Sequence, residues 1–306
     1  MRLTIIAIML SVSSFAQCGR NFDFSFGDFT GWQGDSGSVQ VDNLLQTSWT
    51  VQMANGIFNY LGYWNNNHQI VSGSALDPNT CYFVPMVCPY GGTYSARLGN
   101  TNAYCFAEGL SYTATVDPLN PIFVYAFAPV LQDPNHPDYA QPSFASYVKN
   151  AMGDTIPCTY YRVTATNLRG QVYCNDRWAN IRVYRNWRSV AIDLSPYAGQ
   201  NVTIHFKTTD CGYCAHYGYA YIDMIGCYPK EIGRICNNTG SLLTAPPGFD
   251  SYLWSTGETT QSIFNTSAQT ITCTMTTSMG CSIVLSAVSG PCGGCPPPYL
   301  SMITHN

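Results

Sequence analysis

Trp187 to Asp223, WRSVAIDLSPYAGQNVTIHFKTTDCGYCAHYGYAYID, decides the fold class. Val190 to Leu194 and Val202 to Thr208 alternate so that every second side chain points to one face, the period of a half-buried strand. Between them, Ser195 to Gln200 carries Pro196, which fixes φ near −65°, and Gly199, which tolerates a positive φ. The chain is expected to reverse there and the two runs to pair. A third run, Tyr217 to Ile222, is aromatic and ends on the carboxylate of Asp223. Together these are the final strands of an antiparallel sandwich.

Outward from this stretch, Tyr104 to Val116, Ile122 to Pro129, Phe144 to Val148 and Thr159 to Ala165 read as further strands. The opening, Asn21 to Phe29, alternates aromatic and polar residues and is expected to form the first strand. About Gly34 to Gly73 reads as long loops with one or two short strands, and Asn167 to Trp187 as an Arg-bearing insertion. No helical period lasts beyond about two turns, so the chain is all-β. Residues 229–233 mark a boundary. Beyond it, short strands and the order Cys236, Trp254, then Cys273 or Cys281 suggest a small immunoglobulin-like sandwich with Trp254 near a disulfide. Residues 293–306 read as a Pro-rich linker or tail.

At 306 residues the chain can bury one large β core and a small one. A net charge of −4 supplies no basic field, which argues against nucleic acid and against a polybasic membrane contact. Residues 1–17 read as a secretory signal cleaved after Ala16, since the apolar run Leu3 to Leu10 is too short to span a bilayer. A lipoprotein signal acylated at Cys18 is the weaker alternative, because Gln17 replaces the small residue it needs. No later segment reads as transmembrane. Fourteen cysteines in an exported chain imply disulfides. Cys18 with Cys227 would tie the first strand to the last, and Cys158 with Cys174 would close one insertion. Cys211, Cys214, Cys236 and Cys281 are also read as disulfide cysteines.

The order W…DLSPYAGQNVTI.F.T.DC…H.GYAYID resembles large secreted surface proteins of Bacteroidetes-type bacteria, in which a jelly-roll module precedes immunoglobulin-like or PKD-like repeats. The likeness includes residues 91–100, 108–112 and 251–263. It implies residues 18–228 as a jelly-roll (galactose-binding-like) domain and 229–292 as an immunoglobulin-like or PKD-like domain. It also implies a module that adheres or binds, with the ligand open. Such jelly rolls often hold a structural Ca²⁺ between the first and last strands, and Asp23, Asp28 and Asp223 lie on the segments that would meet there.

The remaining chemistry is sparse. Cys211, Cys214 and His216 have the spacing of half a zinc site, but an oxidising compartment favours disulfides. Glu108, Asp133, Asp138 and Asp154 could serve hydrolysis, yet no spacing selects a pair, and GxSxG, HExxH and P-loop motifs are absent. His68, His136, His205 and His216 each read as structural before catalytic. Trp49, Tyr60, Tyr63, Trp64 and Asn66 supply the mixture of aromatic faces and amides that stacks on sugar rings, and the polar loop carrying Asp133 and His136 is a further candidate site loop. The expectation is a secreted, non-catalytic cell-surface adhesion or glycan-binding module whose partner is an extracellular glycan or cell-surface molecule. The alternatives are an accessory module of a longer secreted glycoside hydrolase or peptidase, and a spacer that binds nothing.

Overall fold

The computed structural model describes residues 18–41, 47–48, 67–169, 173–175, 181–277 and 279–292. The expected signal at 1–17 and the tail at 293–306 lie outside these residues. The first strands are β1 (Trp32–Ser38), β2 (Gln40–Val41), β3 (Thr47–Ser48), β4 (His68–Ser72), β5 (Tyr94–Leu98), β6 (Phe106–Thr115) and β7 (Ile122–Gln132). After β8 (Ser143–Asn150) and β9 (Tyr161–Thr164) comes a single helical turn, α1 (Ala165–Leu168). Then follow β10 (Tyr173–Asn175), β11 (Ile181–Tyr184), β12 (Arg188–Asp193), β13 (Asn201–Thr209) and β14 (Gly218–Tyr228). The second sandwich holds β15 (Gly233–Cys236), β16 (Ser241–Thr244), β17 (Ser251–Trp254), β18 (Ser262–Asn265), β19 (Thr270–Thr276) and β20 (Ser282–Val288).

Two antiparallel sheets face each other. One has the order β1-β6-β13-β8-β9; the other has β10-β11-β7-β14-β5-β4, with β12 also on β7. Aromatic side chains fill the space between them: Trp32, Tyr112, Tyr125, Phe127, Phe144 and Phe206. Phe127 stacks on Phe144 at 4.7 Å between ring centres, and Phe206 meets the edge of Tyr125 at 5.2 Å. This is the all-β jelly-roll sandwich expected from the sequence.

Every residue of β7, IFVYAFAPVLQ, is buried. A strand that alternates apolar and polar residues can cover one face only, whereas a continuous apolar run is buried on both. Phe123, Tyr125 and Phe127 point into the sandwich. Val124 contacts the second sandwich, and Ala126, Ala128 and Val130 lie under the connection between β4 and β5. That connection is anchored by the buried carboxylate of Asp77, which accepts from Tyr219 Oη at 2.6 Å and Tyr221 Oη at 3.1 Å. The outer face of the larger sheet is thus closed.

Two expected strand features differ. Residues 190–194 and 202–208 do not pair: β12 pairs with β7, and β13 pairs with β6 and β8 in the opposite sheet. The Pro/Gly turn carries the chain across the sandwich, and each run finds its partners at long range. Nor is Asn21 to Phe29 a strand. The buried Asn21 side chain accepts from Phe26 N–H at 2.8 Å and donates to the Asp28 and Thr30 carbonyls at 3.0 Å, which winds the segment into turns. Phe22, Phe24 and Phe29 still enter the core, while Phe26 is 49% exposed.

Among the described residues five disulfides are formed. Cys18 is bonded to Cys227, so its sulfur is not available for acylation. Cys158 and Cys174 are not partners. Cys174 pairs with Cys81, stapling the covering connection to β10, and Cys158 pairs with Cys281, joining the two sandwiches. Cys214 pairs with Cys105 and Cys236 with Cys292, while Cys211 is free. Sequence spacing cannot report these pairings because each partner arrives from a distant strand end. In the second sandwich, β15-β16-β18 packs on β17-β19-β20 around Leu243, Ile263, Ile271 and Met275. Trp254 lies opposite Cys273, which is a buried free thiol rather than half of a disulfide.

Candidate functional site

With the larger sheet covered, the outer face of the five-stranded sheet offers, among the described residues, a second and more polar surface. Its inward residues Phe144, Val148, Ile204 and Phe206 are buried, so alternation sends Tyr147, Lys149, Thr203, His205 and Lys207 outward. The register sets them in rows. Arg162, Ala145, Lys207, Gly109 and Asp35 lie across one row; Tyr147, His205, Ser111 and Gln33 across the next; Lys149, Thr203 and Thr113 across a third.

Tyr147 is the centre of this face. His205 stacks on it at 4.9 Å and 17° between planes, and the exposed Tyr160 lies 6.3 Å away. The ammonium groups of Lys149 and Lys207 sit 5.9 and 5.6 Å from the Tyr147 ring centre. Burial, then the charges of Lys149 and Lys207, pull the His205 pKa down to about 4, so the ring is neutral at physiological pH and offers one donor and one acceptor. Beside it, Thr113 and Thr203 share a hydrogen bond of 2.9 Å. The chemistry is an aromatic platform rimmed by hydroxyls, an imidazole and cations.

Of the residues singled out in the sequence, Trp49, Tyr60, Tyr63, Trp64 and Asn66 lie outside the described residues. Asp133 and His136 lie on the loop after β7, away from the Tyr147 platform. Asp133 forms an ion pair with Arg169 and accepts from Gln141 Nε2 at 3.0 Å. Burial raises its pKa, but the bonds from Arg169, Asn135 and Gln141 outweigh that and lower it overall. The His136 ring lies 4.7 Å from Tyr213 and 5.2 Å from His216, joining the Cys211 loop. Asp223 is buried, accepts from Ser95 Oγ at 2.8 Å on one oxygen and has no partner on the other. Burial first, and the charge of Asp23 to a lesser degree, raise its pKa well above the usual range. Asp28 instead caps its own turn, accepting from Thr30 N–H at 2.8 Å. Glu108 is fully buried beside Asp210, so it does not face a cleft.

Tyr147, Tyr160, Lys149 and Lys207 were not singled out in the sequence, and His205 was read there as structural. Their signal is the polar half of two alternating strands, which reads as ordinary solvent-facing positions until the register places the rings together. A cavity of about 190 Å³ between the sandwiches, lined in part by Pro157, Ile192, Phe249 and Ile283, is smaller than the roughly 300–1,000 Å³ of typical small-molecule sites.

No family model matches the chain, and no curated protein matches it. Solved structures do. TmCBM61 in complex with beta-1,4-galactotriose is 11% identical, over 70% of this chain and 98% of that chain, with a TM-score of 0.34. The family 11 carbohydrate-binding module of a cellulosomal cellulase of Clostridium thermocellum is 14% identical, over 70% of this chain and 96% of that one, with a TM-score of 0.28. The glycoside hydrolase domain of Endo-D from Streptococcus pneumoniae R6 is 9% identical; 72% of this chain aligns with only 36% of that chain, at a TM-score of 0.27.

Proposed function

We propose that this chain is a non-catalytic, secreted glycan-binding module acting in adhesion at a cell surface, with the outer face of the five-stranded sheet as its binding surface. The observation that carries the reading is the Tyr147 platform: a half-buried ring stacked on His205, extended by the exposed Tyr160 and flanked by Lys149, Lys207 and threonine hydroxyls. Pyranose rings present apolar C–H faces that stack on such rings, while their hydroxyls need the neighbouring donors and acceptors. Five disulfides support an extracellular setting. A glycan array with the recombinant chain tests the reading. Binding lost by at least about tenfold in Tyr147→Ala supports it, since loss of one stacking partner costs on the order of 1–3 kcal/mol. Binding lost in Trp64→Ala but kept in Tyr147→Ala moves the site to the loop region. Silence across the array favours the spacer, and turnover by the isolated chain replaces the module with an enzyme.

The same reading includes a structural Ca²⁺. The unpartnered oxygen of Asp223, the nearby charge of Asp23 and the close approach of Gly91, where a side chain would come within 2.3 Å of the Asp223 carboxylate, suit a hard cation held by carboxylate and backbone oxygens. Asp28 does not join them. Calcium added to metal-free protein should raise the melting temperature, and Asp223→Asn should abolish the rise; an unchanged midpoint removes the ion.

A further inference from the structure

Cys211 is a reduced, buried sulfur in a chain whose described residues form five disulfides, and its near neighbour Cys214 is already bonded to Cys105. The other free thiols among the described residues, Cys88 and Cys273, pack within apolar clusters as small hydrophobes. Cys211 belongs to none of the apolar clusters among the described residues. Its sulfur lies 3.4 Å from His216 Nδ1 and accepts from Ala215 N–H at 3.5 Å. His136 reaches the same point from the loop after β7, so that one donor atom of each of His136, Cys211 and His216 lies within 4.8 Å of the others. Independently, His136 Nδ1 is buried without a hydrogen-bond partner, a costly state for an imidazole nitrogen unless something else engages the ring.

We propose that His136, Cys211 and His216 bind a first-row transition-metal ion of the zinc class, with the fourth coordination position open to solvent. Two imidazoles and one thiolate form a borderline-soft donor set that suits zinc or copper and discriminates against calcium and magnesium. Bonds of about 2.3 Å to sulfur and 2.0 Å to nitrogen at the tetrahedral angle place the two donors roughly 3.5 Å apart, which is the spacing already held between Cys211 and His216. The His136 donor, within 4.8 Å of the other two, would have to draw closer to complete the set. The two loops are braced beforehand: Cys211 N–H donates to the His216 carbonyl at 2.8 Å, Gly212 N–H to the Ala140 carbonyl at 3.0 Å, and Gln141 Nε2 to the His136 carbonyl at 3.1 Å. Binding takes the Cys211 thiol to thiolate and releases its proton to solvent. The Cys211-x-x-Cys214 spacing thus divides its two sulfurs between a metal and a disulfide.

Full-length chain, folded oxidatively and stripped of metal, is titrated with Co²⁺. The expected result is a thiolate-to-cobalt charge-transfer band that Zn²⁺ displaces at one equivalent. Cys211→Ser should remove the band, and His136→Ala should weaken Co²⁺ binding by at least about a hundredfold. In both variants the circular dichroism and the Cys105–Cys214 bond should be unchanged. Tyr147→Ala should leave the band intact, which separates this site from the glycan reading. No sulfur-to-cobalt band with the Cys211 thiol free, or isolation of Cys211 in a disulfide, overturns the proposal.

Discussion

Glu108 and Asp210 are two buried carboxyl groups at the end of the five-stranded sheet, close enough for the charge of Asp210 to act on Glu108. Asp210 accepts from Tyr104 and Phe106 N–H at 3.0 and 2.9 Å and from Gly218 N–H at 3.2 Å, whereas Glu108 accepts from Thr208 Oγ1 at 3.0 Å and from its own backbone N–H. Three backbone donors favour the ionised form at Asp210, so the proton of the pair belongs on Glu108. Burial raises both groups, Asp210 to about 7 and Glu108 well above its usual value, the latter also through the charge of Asp210. The folded chain therefore holds protons that the unfolded chain releases above about pH 4, and stability is fully present below that point and falls as pH rises through neutrality. Glu108→Gln, which mimics the protonated acid, should flatten this slope and raise Tm at pH 8. Each pKa unit removed is worth about 1.4 kcal/mol, and each kcal/mol about 2–4 °C in a chain of this size. Melting curves of both proteins between pH 4.5 and 8 check it; parallel slopes would refute the assignment.

At the scale of elements, what the sequence makes legible follows from local periodicity. The strand runs 190–194, 202–208 and 217–222 are present because alternation is a property of a few neighbouring residues. Which strands pair is not local. The turn at 195–200 looks the same whether it joins neighbours or crosses between sheets, and only the competing partners β7 for β12 and β6 with β8 for β13 decide. The Asn21 segment shows the opposite failure: Phe22, Phe24 and Phe29 enter the core as expected and Phe26 does not, because one buried amide with four hydrogen bonds at 2.8–3.2 Å overrides the strand pattern. The contact face shares this limit, since Tyr147 and His205 lie 58 positions apart in sequence and become a stack only through the β8–β13 register. Likewise His136 joins Cys211 through the meeting of two loops, which no spacing rule reports.

At the scale of the whole molecule, the two sandwiches share a boundary core. Ile122, Val124 and Ala191 of the first pack with Phe249, Trp254 and Met275 of the second. Ala191 N–H donates to the Gly248 carbonyl at 2.8 Å, Lys230 pairs with Asp193 at 2.7 Å, and Arg188 pairs with Asp250. The Cys158–Cys281 bond closes a separation of 123 residues across this boundary. A cross-link of that span restricts the unfolded chain by up to about 5 kcal/mol, with 2–4 kcal/mol typical of measured bonds. The small sandwich has little core of its own and draws on the neighbouring sheet, so the bond should matter most to it. In the double variant Cys158→Ser/Cys281→Ser, calorimetry should show the second sandwich melting separately, at least about 8 °C below the first, since a domain of its size loses roughly 4–8 °C per kcal/mol. The apolar contact around Val124 should still hold the two together at low temperature. One unshifted transition in the variant would mean that the packed boundary, without the sulfur bridge, suffices to make the molecule a single cooperative unit.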